Sequence, residues 1–260
     1  MTRTRICSSA LRFLPVVLFL ALWQAVSATG LVDRNFLPSA AAVLAAFVDL
    51  AAGGEIAGNL LISTWRAFAG LAAAIIVGTA LGIAMAMFRR VDAFVGPLVA
   101  TTYSLPKSAL VPLFLLWFGI GSTTNILTVF LACLLPILVH AYHGVREVPR
   151  VLVWSARTMG ASRATVFRRV LLPGAQASIF TGIRIALGYS FVLAVSAEML
   201  AATNGIGKLL FMYGENGAYA YMFAALGALV IVAYLADRGL VALIDRLLHW
   251  HERTAVEGRA

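Results

Sequence analysis

Six apolar stretches, each about as long as a bilayer is thick when coiled into a helix, dominate this chain and leave few folds open to it. They centre on residues 13–28, 67–88, 94–118, 126–142, 175–200 and 218–236. Roughly 20 apolar residues carry a helix across the hydrocarbon core. Of the 260 residues, 62% are hydrophobic and 12% charged, against about a quarter charged in soluble domains. A water-soluble globule of this size cannot hide so much apolar surface, so lipid is the natural solvent. In lipid every backbone polar group must be paired inside the protein, which leaves helices or closed barrels. Period-two alternation is absent, which disfavours a barrel. The expectation is an all-α polytopic membrane helical bundle of about six transmembrane helices. One domain covers residues 1–260, with tails at 1–12 and 241–260.

The placement of lysine and arginine then orients the bundle. With the N-terminus inside, fifteen of the 20 Lys and Arg residues fall on the inner side. The outer segments hold Arg34 and Lys208, with Arg66 near an outer edge, while Lys107 and Arg184 fall within spans. Both termini are therefore expected in the cytoplasm of a multi-pass inner-membrane protein. The formal net charge of +9 is an orientation signal, and nucleic acid is not needed to explain it.

The first stretch has a second reading. Arg3, Arg5 and Arg12 precede a short apolar core, and Ala25-Val26-Ser27-Ala28 outlines a cleavage site, as in a signal peptide. Retained as a span, it makes the count even and puts both ends on one side. On the outer side, Pro38-Ser39 followed by residues 40–50 reads as a short helix start, stopped by Gly53-Gly54. The two cysteines, Cys7 and Cys133, are far apart and form neither a disulfide framework nor a metal signature.

Between the fourth and fifth spans lies a polar stretch, residues 145–173. It holds Arg146, Arg150, Arg157, Arg163, Arg168 and Arg169 against one acid, Glu147, for a net of +5. Residues 151–159 suit a helix, Gly160 supplies the backbone freedom for a stop, and Ser162 suits an N-cap. A second helix is expected over 163–172, ended by Pro173, which lacks the N–H a helix interior uses. The small side chains of Ala156, Gly160 and Ala161 leave room for another protein's surface. The layout predicts a helix-turn-helix platform along the inner face that docks a water-soluble partner. The plainer reading is a basic loop that meets anionic lipid.

The same residues resemble the "EAA" loop of permease subunits of bacterial ABC importers. That pattern reads Glu-Ala-Ala, three residues, Gly, nine residues, an aliphatic residue, one residue, Leu-Pro. Here Ala156 stands at the second alanine, Gly160 at the glycine, Val170 at the aliphatic residue, and Leu172-Pro173 close the motif. The departure is Trp154-Ser155, which stand where the family has Glu-Ala. Flanking segments are similar to the nitrate/sulfonate/taurine-type subgroup. They are residues 112–121 (Pro-Leu-Phe-Leu-Leu-Trp-Phe-Gly-Ile-Gly), residues 181–188 (Thr-Gly-Ile-Arg-Ile-Ala-Leu-Gly), Ala197-Glu198-Met199 and Gly205-Ile206-Gly207.

The resemblance implies a pore-forming subunit of an ATP-driven importer for a small solute, such as a sulfonate, taurine or nitrate. It implies three protein partners: a cytosolic ATP-binding subunit, an extracytoplasmic solute-binding protein and a second permease copy, as a homodimer. It implies no cofactor and no metal. The coupling-loop residues it implies are Ala156, Arg157, Gly160, Ala161, Ser162, Phe167, Val170, Leu172 and Pro173. No nucleotide-binding Gly-x-x-x-x-Gly-Lys-Ser/Thr run occurs, since Gly207-Lys208 leads into Leu209. ATP hydrolysis is thus assigned to a separate subunit, and the chain itself is not expected to be an enzyme.

Weaker features carry their own expectations. Gly78 and Gly82 permit close helix approach, within the chain rather than between copies. His140 and His143 share a helix face and read as solvated polar groups rather than metal ligands. Pro106 should break or kink the third span and free backbone groups for a pathway. Arg184 is either a pathway residue or a side chain that snorkels to the interface. Arg184 and Glu198 sit too far apart on one helix to pair, so Glu198 is either solvated or bonded to the loop that follows it. The competing function is a stand-alone secondary transporter, which needs coupling-ion sites, usually acids in its spans or unwound half-helices, and an inverted repeat; apart from Glu198 near one end the spans hold almost no acids, and the sequence shows no such repeat. Paired catalytic carboxylates and ring-forming filter segments are missing as well.

Overall fold

Short turns join a series of helices, and among the described residues no strand forms. The computed structural model describes the backbone of residues 2–29, 33 and 36–248, and the side chains among them from residue 14 onward except Val16. Arg34, Arg253 and Arg259, and the side chains of Arg3, Arg5, Arg12 and Cys7, lie outside the described residues.

Helix α1 (Thr2–Thr29) precedes α2 (Ala40–Ala52). Ser39 caps α2 by accepting from the Ala42 N–H at 3.2 Å, and Gly53 closes it. Gly54, at φ +76°, reverses the chain into α3 (Glu55–Met87). The apolar part of α1 that the described residues contain is Val17–Thr29, shorter than a full span. Its end is nonetheless tied down: Trp23 Nε1 donates to the Pro38 carbonyl at 3.0 Å and Ser27 Oγ to the Leu37 carbonyl at 3.0 Å. A removed leader would forfeit those bonds.

Among the described residues, four helices are long and apolar enough to cross a membrane. They are α3, α6 (Ser122–Arg146), the run Arg163–Ala201, and α11 (Tyr219–Leu247). The third expected span is a broken one. Helix α4 (Arg89–Tyr103) and the segment Lys107–Phe118 meet at 96° across Ser104-Leu105-Pro106. Within that segment a 3-10 turn (Lys107–Leu110) leads into α5 (Val111–Phe118). The described residues thus hold up to five spans, where the hydropathy pattern counts six.

Helices α3, α6 and the later part of Arg163–Ala201 form the central trio. Hydrocarbon gives little hydrophobic push between helices, so close van der Waals packing must hold them. Glycines and alanines supply it. A Cβ on Gly82 would lie 2.4 Å from the Leu138 carbonyl, and one on Gly70 would lie 2.7 Å from Val129. Gly78 likewise faces Ile137, so the Gly78/Gly82 pair packs within the chain. On the opposite side of α6, Gly182 closes on His140 and Gly144 on Ser178. Large apolar side chains such as Val230, Tyr234 and Leu235 on α11 point outward, the inverse of a soluble protein and the arrangement lipid favours.

The polar stretch folds as α7 (Arg150–Thr158), a turn at Gly160, and a one-turn α8 (Arg163–Val166). A π turn (Phe167–Leu171) then leads directly into α9 (Leu172–Ala201). Pro173 therefore does not stop a second loop helix, as the sequence suggested; the helix runs 39 residues from Arg163 to Ala201. The physical reason is the wider turn. The Leu172 N–H bonds back to the Phe167 carbonyl, five residues earlier. That shift places Pro173 in the first α turn of α9, where its missing N–H costs little. Helix α10 (Ile206–Glu215) follows α9 and leads to α11.

Candidate functional site

At the Gly160 end, three of the anticipated loop features have a local cause. Gly160 sits at φ +82° with no atom within 4 Å of a built Cβ, a conformation that glycine adopts without penalty. The Ala161 N–H bonds to the Ala156 carbonyl at 3.0 Å, closing the end of α7. The Ser162 hydroxyl accepts from the Thr165 N–H at 3.2 Å. The surface around them is mixed. Val151, Trp154 and Met159 are exposed apolar side chains, Met159 at 80%. Arg150, Arg157, Arg163, Arg168 and Arg169 are exposed beside them. Ala156, Phe167, Val170, Leu172 and Pro173 are half-buried beneath. A clamp anchors the neighbouring helices: Tyr142 donates to Asp92 Oδ2 at 3.2 Å, and Arg146 reaches both Tyr142 and Asp92.

The pathway candidates part company in space. Pro106 marks the bend of the broken span and lines a cavity of about 330 Å³ between α6 and α9, which His140 lines as well. Arg184 lies elsewhere. Its guanidinium binds Asp237 of α11 in a fork, Nε to Oδ1 at 2.8 Å and Nη2 to Oδ2 at 3.1 Å.

The opposite end of the bundle holds a network that the sequence did not reveal. Glu198 is completely buried and Arg66 is 3% exposed, and they pair at 2.8 Å. The second carboxylate oxygen accepts from Ser63 Oγ at 2.6 Å and from the Gly207 N–H at 3.0 Å. Arg66 also donates to the Asn204 carbonyl and side chain and to Ser122 Oγ. Ser63 Oγ accepts from the Ile206 N–H, and Asn59 Oδ1 from the Gly205 N–H. The free N–H groups that begin α10 are thus met by oxygens of α3 and α9, a placement the helix dipole favours. Gly205 and Gly207 are glycines for a steric reason: a Cβ on either would fall within 2.6 Å of the Glu198 side chain.

Glu198 is therefore bonded to its following loop, one of the two outcomes the sequence left open. Arg66, placed near an outer edge, is an interior residue of α3. The available signal was the spacing of Asn59, Ser63 and Arg66, which puts three polar groups on one helix face.

Comparison with known proteins decides the family. Residues 74–250 match the binding-protein-dependent transport system inner membrane component family. The chain belongs to that family. It is an ABC transporter permease subunit, a multi-pass membrane protein and not an enzyme. The permease is 35% identical to the Escherichia coli taurine transport system permease protein TauC over 241 residues, covering 91% of this chain and 88% of the relative. It is 36% identical to the E. coli putative aliphatic sulfonates transport permease protein SsuC over 240 residues, covering 92% and 90%. Among solved structures it is similar to the MetNI methionine ABC transporter in an inward-facing conformation, with a TM-score of 0.61 at 20% identity. That match covers 73% of the permease and 94% of the other chain, and it speaks for the fold.

Proposed function

We propose that this permease forms half of the pathway of an ATP-driven importer for small sulfonate-type anions. The observation that carries the reading is the identity of about one residue in three to taurine and aliphatic sulfonate permeases over nine-tenths of the chain. The Gly160 platform is its docking surface for a cytosolic ATPase. Exposed Val151, Trp154 and Met159 offer contact area, and the five arginines around them offer complementarity to an acidic groove. The ATPase drives the pore because it binds the two pore states unequally. The excess of Lys and Arg puts this platform and both termini inside. The Glu198 end then faces an extracytoplasmic solute-binding protein. A second copy of the permease completes the pathway as a homodimer.

The test is reconstitution of the permease with its ATPase and binding protein in proteoliposomes, with labelled taurine and ethanesulfonate as solutes. Uptake that requires ATP on the platform side supports the reading. Uptake by the permease alone, or no ATP-driven uptake of either sulfonate, refutes it.

A further inference from the structure

Of the cations Arg66, Arg184 and Lys107, two have carboxylate partners: Arg66 has Glu198 and Arg184 has Asp237. The third, Lys107, pairs with no carboxylate among the described residues. A lone cation at membrane depth is costly, and proteins that keep one give it a role. Lys107 stands at the 96° break, where Pro106 is extended and the chain restarts as a 3-10 turn. Its ammonium donates to the Tyr103 carbonyl at 2.6 Å and lies 5.7 Å from the Tyr103 ring centre. An ammonium carries three donors, so this bond fixes its direction and leaves two to spare.

The lysine lines the cavity of about 330 Å³ together with Ser108 and Tyr189. Among the described residues, no hydrogen bond occupies the hydroxyls of Ser108 and Tyr189. Among the described residues no Asp or Glu lines it, and its remaining wall is mostly aliphatic. The cavity touches the middle of both α6 and α9, so it lies near mid-membrane. Its volume is at the small end of the range for ligand pockets, about 300–1,000 Å³. Cation, hydroxyl donors, apolar wall and small volume together describe a site for a compact anion on a short organic body.

We propose that Lys107, with Ser108 and Tyr189 beside it, is a relay site that binds the anionic headgroup of the solute midway through the permease. The site rests on the importer reading above and adds the group that recognises charge inside the pore. It sets selectivity by sign and size after the binding protein has released its load. An alternative anion is the phosphate of a lipid headgroup, which Lys107 would reach by snorkelling; that arrangement makes the lysine irrelevant to uptake.

The experiment uses the full complex in proteoliposomes with labelled taurine and ethanesulfonate. Lys107→Gln should cut uptake of both about tenfold or more, the scale of one charge-assisted hydrogen bond, while the complex still assembles in size-exclusion chromatography. Lys107→Arg should keep uptake within about threefold of the starting protein. Uptake by Lys107→Gln within twofold of the starting protein overturns the site, and so does equal loss in the Gln and Arg variants. Should the Gln variant fail to assemble, Lys107→Cys in a background without Cys7 and Cys133 replaces it. Restoring a positive charge there with an aminoethyl thiosulfonate reagent should restore uptake, and failure to do so also overturns the site. Absence of ATP-driven sulfonate uptake by the unaltered complex is a separate result, and it refutes the importer reading instead.

Discussion

Arg66 and Glu198 lie 132 residues apart in the chain and 2.8 Å apart in space. Each is out of reach of solvent, and every polar atom of the carboxylate has a donor. A buried pair of this kind is weak evidence of net stabilisation, but removing one partner strands a charge. Glu198→Gln should therefore cost about 3–5 kcal/mol, seen as a large fall in the melting temperature of the detergent-solubilised permease. Combining Arg66→Met with Glu198→Met should cost less than the two single changes summed. A Glu198→Gln protein as stable as the original would show that the network is ornamental.

The glycine seams make opposite predictions at different positions. Gly82→Val must push a side chain into the Leu138 carbonyl, and overpacking of this sort costs about 1–3 kcal/mol. Gly227 has no atom within 4 Å of a built Cβ. Gly227→Ala should be neutral or gain about 0.5–1 kcal/mol of helix stability. Thermal unfolding of the two variants side by side checks the contrast; equal stability would discredit the close-packing account of α3 and α6.

At the Gly160 turn, a substituent has room but a strained backbone. Left-handed geometry costs an ordinary residue about 1–2 kcal/mol, too little to prevent insertion of a chain held by several spans. Gly160→Glu should thus still reach the membrane while ATPase co-purification is lost. Recruitment and stimulation of the ATPase by this variant would remove the platform from the docking scheme.

Orientation can be read with one thiol. Cys133 has no exposed surface and should resist maleimide in the folded protein. With Cys7 replaced by serine, Met159→Cys then reports the side of the platform, since Met159 is 80% exposed. A membrane-impermeant maleimide should label it only after the cells are opened. Labelling of intact cells would invert the topology.

Tyr213 offers a pH signature. Burial first, and then its hydrogen bond to Glu55 at 2.8 Å, push its phenol from 10.0 up to about 12. A group whose folded pKa is raised stabilises the fold below its unfolded pKa. Its contribution is intact below about pH 10 and drains away as pH climbs towards 12. A spectrophotometric tyrosinate titration should lose its latest-titrating phenol in Tyr213→Phe. An unchanged late step would assign it to another tyrosine.

Hydropathy located α3, α6, α9 and α11 because apolar runs of this length have one use in lipid. Local chemistry located the break at Pro106, the turn at Gly160 and the cap at Ser162, each a matter of one residue's backbone or side chain. The network at Glu198 was hidden because its members come from α3, the start of α6, the α9–α10 loop and the start of α10, and only folding brings them together. The same distance effect masked the start of α3. Asn59, Ser63 and Arg66 lower the apparent hydropathy there, although all three find partners inside the protein. Pro173 misled for the opposite reason. A rule about α geometry was sound, and the chain stepped around it with a π turn.

That π turn has a mechanical meaning. Because the helix is never interrupted from Arg163 to Ala201, one rod of about 58 Å carries the Ser162 cap at its foot and the Glu198 carboxylate near its head. A tilt imposed at the foot can be absorbed only at the widened turn, a common place for a hinge, or be delivered whole to the head. The rod cannot lean far while Arg66 holds Glu198 and remain as it is at both ends.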